Sequence, residues 1–455
     1  MLFNSLEFLC IFLPVTLTAI GVAARFHSRL LILSIVCLAS AVFYGIYSVW
    51  HLALLCGMIA LNWILAAEVE RSARYALTIG VVLNLAVLVV FKYTGFALRQ
   101  IFAANVAIPF WAISFPLAIS FYTFHQISFL VDVWRKRARR PDLLTYATYV
   151  LLFPQLIAGP IVRYSEVAFQ LGRQVPVFVR ARFFRIGFIL LVLGLGKKVL
   201  IADALGPDVD AAFANAFNLS TVRAWQAAIG FGFQIYFDFS GYTDMAIGMA
   251  LMMGLRLPRN FNAPYRAATV SEFWRRWHMT LSRFLRDYLF KSLGGSRRGL
   301  ARNLVNLMIV MLLGGLWHGP NWTFVVWGGL HGVYLVAHRL WSKFSPLSLP
   351  IPIAWLLTYL CVTLAWVFFR APNFEIARGV LGRMIIPTDG PSSDTAAIMI
   401  GIAAALTWLA PQARALAVQH HHSRVVAFLI GAIASASVLT MISTGHADAF
   451  IYFAF

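Results

Sequence analysis

Long apolar stretches follow one another along the whole chain, separated by short polar connections. A helix needs ~20 mostly apolar residues to cross the hydrocarbon layer of a bilayer. Twelve stretches reach or approach that length, and several are shorter than a full span; they are residues 8–24, 30–50, 52–67, 76–90, 116–134, 186–202, 225–251, 304–317, 322–336, 350–369, 395–410 and 425–441. The pattern predicts an all-α, multi-pass membrane protein. No linker or repeat divides it, so we predict one membrane domain over residues 1–455.

Basic residues are concentrated at alternate ends of these stretches. The chain has 37 basic and 17 acidic side chains, a net charge of +20, and only 12% of its residues are charged. Arg25 and Arg29 mark one end, Arg71 and Arg74 another, whereas connections such as residues 203–220 are poor in Lys and Arg. This is the positive-inside pattern of an inner membrane protein with a periplasmic N-terminus. The charge is therefore topological, and we expect no nucleic-acid partner.

Two segments depart from a regular span. Residues 151–160 are apolar, but Pro154, Gly159 and Pro160 break them. Broken backbone at membrane depth must be covered by protein or line a water-filled cavity. The segment is therefore either a re-entrant piece or a helix lying on the membrane surface.

The second segment, residues 256–302, holds eleven basic side chains and two acidic ones, which predicts the inner face. Ser271 can cap a helix that continues through His278 to about Phe290. Its aromatic face would carry Trp274, His278, Leu281 and Leu285, opposite a basic face. We predict an amphipathic helix at the membrane interface. On spacing alone, His278 is either a packed histidine or a functional one.

Ionisable groups inside apolar stretches are costly and indicate function by default. They are Asp238, Asp244, His125, Asp132, His318 and His331. A buried histidine can stay neutral and can take up and return a proton, which makes His318 a candidate general base. The alternative is a histidine that only hydrogen-bonds between helices. Trp317 and Trp322, beside His318, would wall a pocket or simply fill volume.

Other kinds of site find less support in the sequence. His331 and His338 are seven residues apart on one helix face, but no third metal ligand accompanies them, so we predict no metal. No phosphate loop or nucleophile elbow is present. Residues and spacing alone leave an enzyme and a transporter level.

Seven short motifs occur in order between residues 116 and 371. They are Pro-Leu-Ala-Ile-Ser-Phe-Tyr-Thr-Phe (116–124), Phe-Pro-Gln-Leu-Ile-Ala-Gly-Pro-Ile-Val-Arg-Tyr (153–164), Asp-Phe-Ser-Gly-Tyr-Thr-Asp-Met-Ala-Ile-Gly (238–248), Asn-Phe-Asn-Ala-Pro-Tyr (260–265), Phe-Trp-Arg-Arg-Trp-His-Met-Thr-Leu-Ser (273–282), Leu-Trp-His-Gly (316–319) and Trp-Val-Phe-Phe-Arg-Ala (366–371). Together they resemble the membrane-bound O-acyltransferase superfamily, and within it the bacterial alginate O-acetyltransferase type.

The resemblance implies two active-site positions. His318 of Trp-His-Gly is the implied catalytic histidine, and His278 is the implied second residue, 40 positions earlier. Many relatives carry Asn at the second position. His125 stands where Gln is expected, a departure that would alter a cavity wall.

The resemblance also implies a ring of about 11–12 transmembrane helices, with re-entrant or interfacial helices, around a central tunnel. Acetyl-CoA would be the donor, with no resident cofactor, and Arg275, Arg276 and Arg283 would attract its phosphates. Tunnel-lining residues are expected to be Trp277, Trp317, Trp322, Asp238 and Asp244.

The implied function is O-acetylation of an exported polysaccharide such as alginate, from a cytoplasmic thioester, directly or through a partner. A periplasmic SGNH-type acetyltransferase and the polysaccharide export machinery are the expected partners, beside the lipid bilayer. D-alanyl transfer to teichoic acid and a non-enzymatic transporter are the alternatives.

Overall fold

The computed structural model describes residues 1–102, 116–157, 159–172, 181–445 and 448–451. Within these ranges the regular structure is helical and contains no strand, which confirms the all-α prediction. Among the described residues, six helices are long and apolar enough to cross a membrane: Phe8–Arg25, Val49–Glu70, Arg74–Ile101, Gly299–His318, Ile351–Arg370 and Arg424–Thr444. Asp394–Trp408 and Ala413–His420 form a further, broken candidate, bent by 56°. The chain is a multi-pass membrane protein.

The described residues group into two units, each drawn from separate parts of the chain. The first unit comprises residues 1–195, 242–258 and 416–449, and the second comprises 196–241, 259–415 and 450–455. A single membrane domain stays a prediction. The candidate catalytic residues His278 and His318 both belong to the second unit.

The first unit is built of helices, several of which begin at polar caps such as Ser28, Ser48 and Asp142. Their bounds are Phe8–Phe12, Leu13–Arg25, Arg29–Gly45, Val49–Glu70, Arg74–Phe102, Ile119–Trp134, Leu143–Leu151, Phe153–Leu156, Tyr164–Leu171, Ala181–Gly196 and Arg424–Thr444. The stretch predicted at 30–50 includes a turn, because the side chain of Ser48 accepts a hydrogen bond from the His51 backbone and starts a new helix.

The break predicted near Pro154 lies between Leu143–Leu151 and Phe153–Leu156. The flanking residues are buried, and the Phe153 backbone donates to the Ser40 hydroxyl at 3.1 Å. Protein therefore covers the broken backbone, which favours the re-entrant interpretation over a surface helix. Ala158 of this motif lies outside the described residues.

The second unit carries the remaining helices except Ala413–His420, whose residues are divided between the two units. Their bounds are Lys197–Ala202, Asp203–Ala214, Thr221–Met252 (up to Gly241), Pro264–Arg266, Val270–Arg276, Met279–Phe284, Leu285–Phe290, Gly299–His318, Trp322–Phe344, Ile351–Arg370, Phe374–Ile385 and Asp394–Trp408. We call Gly299–His318 and Trp322–Phe344, with the turn between them, the His318 hairpin.

The two helices of the His318 hairpin touch through their backbones at two glycines. A Cβ atom on Gly315 would lie 2.2 Å from the Phe324 carbonyl oxygen, and one on Gly328 would lie 2.3 Å from the Met311 carbonyl oxygen. Small residues permit such close helix packing where lipid supplies no hydrophobic driving force. This packing fixes the end of the first helix, which carries His318.

The continuous amphipathic helix predicted from Ser271 to about Phe290 is wrong. Thr269 provides the cap, accepting from the Glu272 backbone at 3.1 Å, and the helix ends at Arg276. His278 has φ +40°, a left-handed conformation that cannot continue a right-handed helix. A new helix begins at Met279. Because the chain turns there, Trp277, His278 and Leu281 are buried within the unit instead of lying along one interfacial face.

We expect Gly315→Ala to destabilise the protein and Gly314→Ala to leave its stability unchanged or slightly higher. Added methyl groups in a closely packed contact typically cost about 1–3 kcal/mol, whereas Ala gains about 1 kcal/mol over Gly in a helix where space allows. The nearest atom to a Cβ on Gly314 is a flexible Leu285 methyl at 3.5 Å. Thermal unfolding in detergent measures the difference; equal melting temperatures for the two variants would contradict the close contact.

Candidate active site

Asn260 accepts hydrogen bonds from the residues at the helix break before Met279. The Asn260 carbonyl oxygen accepts from the Met279 backbone at 2.9 Å. The Asn260 side-chain Oδ1 accepts from the Thr280 backbone at 3.3 Å and from the Thr280 hydroxyl at 2.9 Å, and it lies 3.0 Å from His278 Nδ1. We call these contacts the Asn260 clamp. They satisfy the first backbone N–H groups of the new helix, which otherwise lack partners inside it.

The Asn260 clamp fixes the tautomer of His278. A backbone N–H can only donate, so the Asn260 atom that Thr280 contacts is the amide oxygen and not the nitrogen. His278 Nδ1 must therefore carry the proton and donate it to that oxygen. The Nε2 lone pair is left as an acceptor, and among the described residues it has no hydrogen-bond partner.

Burial also determines the charge of His278. The side chain is completely buried, and this burial lowers the pKa of His278 from its ordinary value to about 3. The imidazole is therefore neutral near pH 7. The Phe239 ring stands perpendicular to it, with centroids 4.7 Å apart, and the Trp317 ring lies at 6.3 Å.

His318 is the last residue of its helix and is enclosed by aromatic rings. Its side chain lies edge-to-face against Trp317 and Trp327, each with a centroid distance of 5.0 Å, and against Phe369 at 5.2 Å. The residue is 5% exposed. Trp317 thus contacts both candidate catalytic histidines.

His331 joins the broken helix to the His318 hairpin. Trp274 Nε1 donates to His331 Nδ1 at 3.2 Å, and the Phe273 ring lies parallel to the imidazole at 6.0 Å. Within the described part of the chain, no group of three or more His, Cys, Asp or Glu side chains could hold a metal. The hydrogen bond to Trp274 and the contact with Phe273 make His331 a residue that joins two helices, which is the alternative role that the sequence offered for His318.

The carboxylates expected to line a tunnel have different surroundings. Asp238 is buried and forms an ion pair with Lys198 at 2.8 Å, and its second oxygen accepts from the Ile451 backbone at 2.8 Å. Lys198 also contacts Asp203 at 2.5 Å. Asp244 is half-buried in the first unit. A tunnel-lining role for the two residues stays a prediction.

The remaining candidate residues, which were expected to line the tunnel or to bind the donor, differ in how exposed they are. Trp277 is buried beside Trp366, with centroids 5.0 Å apart, whereas Trp322 is 51% exposed. Arg275 is exposed. Arg276 is paired with Glu272 at 2.6 Å. Arg283, the third of the arginines expected to bind the donor, is partly exposed.

Two residues of the site were not predicted from the sequence. Asn260 opens a quoted motif, but only the fold shows that it holds His278. Lys198 lies 40 positions before Asp238, and its position within an apolar stretch was the available signal.

His125 belongs to the first unit, where it is buried against Tyr149 with ring centroids 5.7 Å apart.

The sequence matches the family described as MBOAT, membrane-bound O-acyltransferase family, over residues 36–374. It is 39% identical to a peptidoglycan O-acetyltransferase from Helicobacter pylori, over 85% of this chain and 80% of that protein. It is 40% identical to the probable alginate O-acetylase AlgI of Pseudomonas aeruginosa, over 83% of this chain and 73% of that protein. A teichoic acid D-alanyltransferase from Bacillus subtilis is 26% identical over 50% of this chain and 60% of that protein. The chain therefore belongs to the membrane-bound O-acyltransferase family, and it is an O-acyltransferase.

Proposed function

We propose that this enzyme moves an acetyl group from cytoplasmic acetyl-CoA across the membrane for O-acetylation of an exported polysaccharide such as alginate. The names of the relatives that match most of the chain support acetyl as the group and a glycan as the acceptor. The D-alanyl-transferring relative matches only half of the chain, at lower identity. The enzyme resides in the inner membrane with its N-terminus in the periplasm, as the distribution of basic residues indicates.

The observation that carries this proposal is that His278 and His318 both contact the indole of Trp317. Two titratable side chains that are buried among aromatic rings and share a neighbour are suited to proton transfer shielded from water.

In the proposed reaction, a hydroxyl oxygen attacks the thioester carbonyl while His318 accepts the hydroxyl proton. An ester bond forms, the carbon–sulfur bond breaks, and the imidazolium of His318 returns the proton to the departing thiolate. His278, with its Nδ1 proton donated to Asn260, offers the Nε2 lone pair as a hydrogen-bond acceptor that orients the hydroxyl.

Charge supports a cytoplasmic position for donor entry. Arg275, Arg276 and Arg283 belong to the basic segment 256–302 and attract the coenzyme A phosphates. Burial of the Glu272 carboxyl raises its pKa. The hydrogen bonds donated by the Ala268 backbone and the Arg276 side chain outweigh this effect, so that the net pKa of Glu272 lies below its ordinary value. Glu272 therefore stays ionised and partly neutralises Arg276, which leaves exposed Arg275 as the stronger phosphate contact.

The acetyl group reaches the polymer directly or through a periplasmic SGNH-type acetyltransferase working with the export machinery. In the second case the hydroxyl that attacks the thioester belongs to a serine of that partner, and the chemistry at His318 is the same. Vesicles supplied with labelled acetyl-CoA and purified partner distinguish the routes, because only the second transfers label to protein.

We expect His318→Ala to abolish O-acetylation of the exported polysaccharide while the protein is inserted and folded normally. Loss of a general base typically lowers the rate by about 10²–10⁴-fold. The O-acetyl content of the polymer, with membrane protein levels from immunoblots, measures the effect. His420→Ala, at an exposed histidine, is the matched control. Normal acetylation in His318→Ala cells would refute the proposed role.

We expect Asn260→Asp to shift the pH dependence of acetyl transfer upward. The carboxylate keeps the oxygen acceptor for His278 Nδ1, but its negative charge favours the imidazolium and raises the pKa of His278. Protonation removes the Nε2 acceptor, so activity falls at a higher pH than in the unmodified enzyme as the solution is acidified.

Asn262→Asp is the control for this experiment. The substitution adds the same negative charge two residues away, and the hydrogen bond from Asn262 to the Arg276 carbonyl uses only the backbone N–H, which the substitution keeps. pH–rate profiles in vesicles provide the measurement. Identical profiles for Asn260→Asp and Asn262→Asp would contradict the assigned tautomer.

A further inference from the structure

An open groove lies in the first unit, between the helices Ala181–Gly196 and Arg424–Thr444. Its volume is about 300 Å³. The first helix contributes Phe184 and Phe188 to its wall, and the second contributes Ile430 among other apolar residues. Both phenylalanine side chains are partly exposed, so the groove opens to the outside of the unit. Its size is at the lower end of the range of small-ligand sites.

Small residues leave this groove open along the helix Arg424–Thr444. Ala427, Gly431 and Ala434 all line the groove, and their spacing of four and then three residues places them on one helix face. A Cβ atom on Gly431 would meet no atom within 4 Å. From Ser423 to Ala434 the helix rises about 17 Å, which is roughly half of the ~30 Å hydrocarbon layer. The groove therefore has the length of a chain in one leaflet.

One end of the groove is basic. Arg185 lines it, and no carboxylate does so among the described residues. The Arg185 Nη1 atom lies 3.1 Å from His422 Nδ1. A guanidinium can only donate, so His422 Nδ1 accepts and its imidazole is neutral. This contact leaves the positive charge of Arg185 uncancelled.

His421 provides a second polar group at the same end. It lines the groove, and its Nδ1 donates to the Val418 carbonyl oxygen at 3.0 Å. Its Nε2 has no hydrogen-bond partner in the part of the chain that the structure describes. With Nδ1 already a donor, Nε2 can donate only from the imidazolium, a form that a bound anion favours.

The location suits a lipid better than a soluble metabolite. Arg424–Thr444 is long and apolar enough to cross a membrane, so the groove beside it is open to the hydrocarbon layer. Both helices carry arginine at their start, at Arg182, Arg185 and Arg424, which indicates the cytoplasmic end. Basic pockets between helices on that side of membrane proteins bind anionic lipid head groups.

We propose that the groove binds an anionic phospholipid of the cytoplasmic leaflet. One acyl chain lies along Ala427, Gly431 and Ala434, and the phosphate lies against Arg185 and His421. The charge of Arg185 selects the head group, because a zwitterionic lipid brings its own cation to the same place. A bound lipid contacts both helices and stabilises their pairing. This site is separate from acetyl transfer, since His278 and His318 belong to the other unit.

The first test compares phosphatidylglycerol with phosphatidylcholine of the same acyl chains, added to the full-length protein in detergent. A ligand that binds only the folded state raises its melting temperature, so we expect phosphatidylglycerol to raise it by about 2 °C and phosphatidylcholine to have little effect. Native mass spectrometry counts the bound lipids. Equal stabilisation by the two lipids would overturn the proposal.

Two variants locate the binding. Arg185→Gln removes the phosphate contact, and Gly431→Leu fills the groove; each should weaken the apparent affinity for phosphatidylglycerol about tenfold. Arg74→Gln is the matched control for the charge, at an exposed arginine of the first unit outside the groove. Gly21→Leu is the control for the added side chain, because a Cβ there also meets no atom within 4 Å.

Both control variants should bind as the unmodified protein does, and the melting temperature of every variant without lipid reports whether it folds. Unchanged binding by either Arg185→Gln or Gly431→Leu would refute the location. Two competitors test the identity of the ligand. Displacement of phosphatidylglycerol by glycerol 3-phosphate would assign the basic end to a soluble phosphate, and displacement by coenzyme A would assign it to the donor; either result would overturn the proposal.

Discussion

The candidate active site depends on the hydrogen bonds that Asn260 accepts from residues 278–280. A helix broken in a buried place exposes backbone N–H groups that no solvent can satisfy, and each such group is costly. Asn260 satisfies two of them, that of Met279 with its main-chain carbonyl oxygen and that of Thr280 with its side-chain Oδ1, and the same Oδ1 holds the imidazole of His278. One side chain therefore stabilises the break in the chain and sets the chemical state of the residue at that break, so the fold and the tautomer cannot be changed independently.

The second candidate histidine is held by a different kind of contact. His318 ends a helix whose backbone touches its hairpin partner at Gly315 and Gly328, where no side chain could fit. Hydrogen bonding from Trp274 to His331 then joins the broken helix to this hairpin. The aromatic rings around His318 complete an enclosure of low polarity, in which electrostatic interactions are stronger than in water. Backbone contact sets the position of His318, and the aromatic rings set its surroundings.

Much of this arrangement could be predicted from the sequence, and the failures have a common cause. Apolar length identified the helical membrane class and short motifs identified the family, whereas the catalytic roles of His278 and His318 stay predictions. Periodicity failed at residues 271–290 because it assumes a continuous helix, whereas the break at His278 depends on Asn260, eighteen residues away. The partner of Asp238 was missed for the same reason, since Lys198 is remote in sequence.

The left-handed backbone at position 278 restricts which amino acids can occupy it. Of the residues with a side chain, Asn, Asp and His adopt positive φ most readily, and β-branched residues do so rarely. The resemblance implies that Asn replaces His here in many relatives. Both belong to that small set, and both can donate a proton to a neighbouring carbonyl oxygen. Variation at this position is therefore limited first by the turn of the main chain, and the proposed chemical role selects only among the residues that the turn already admits.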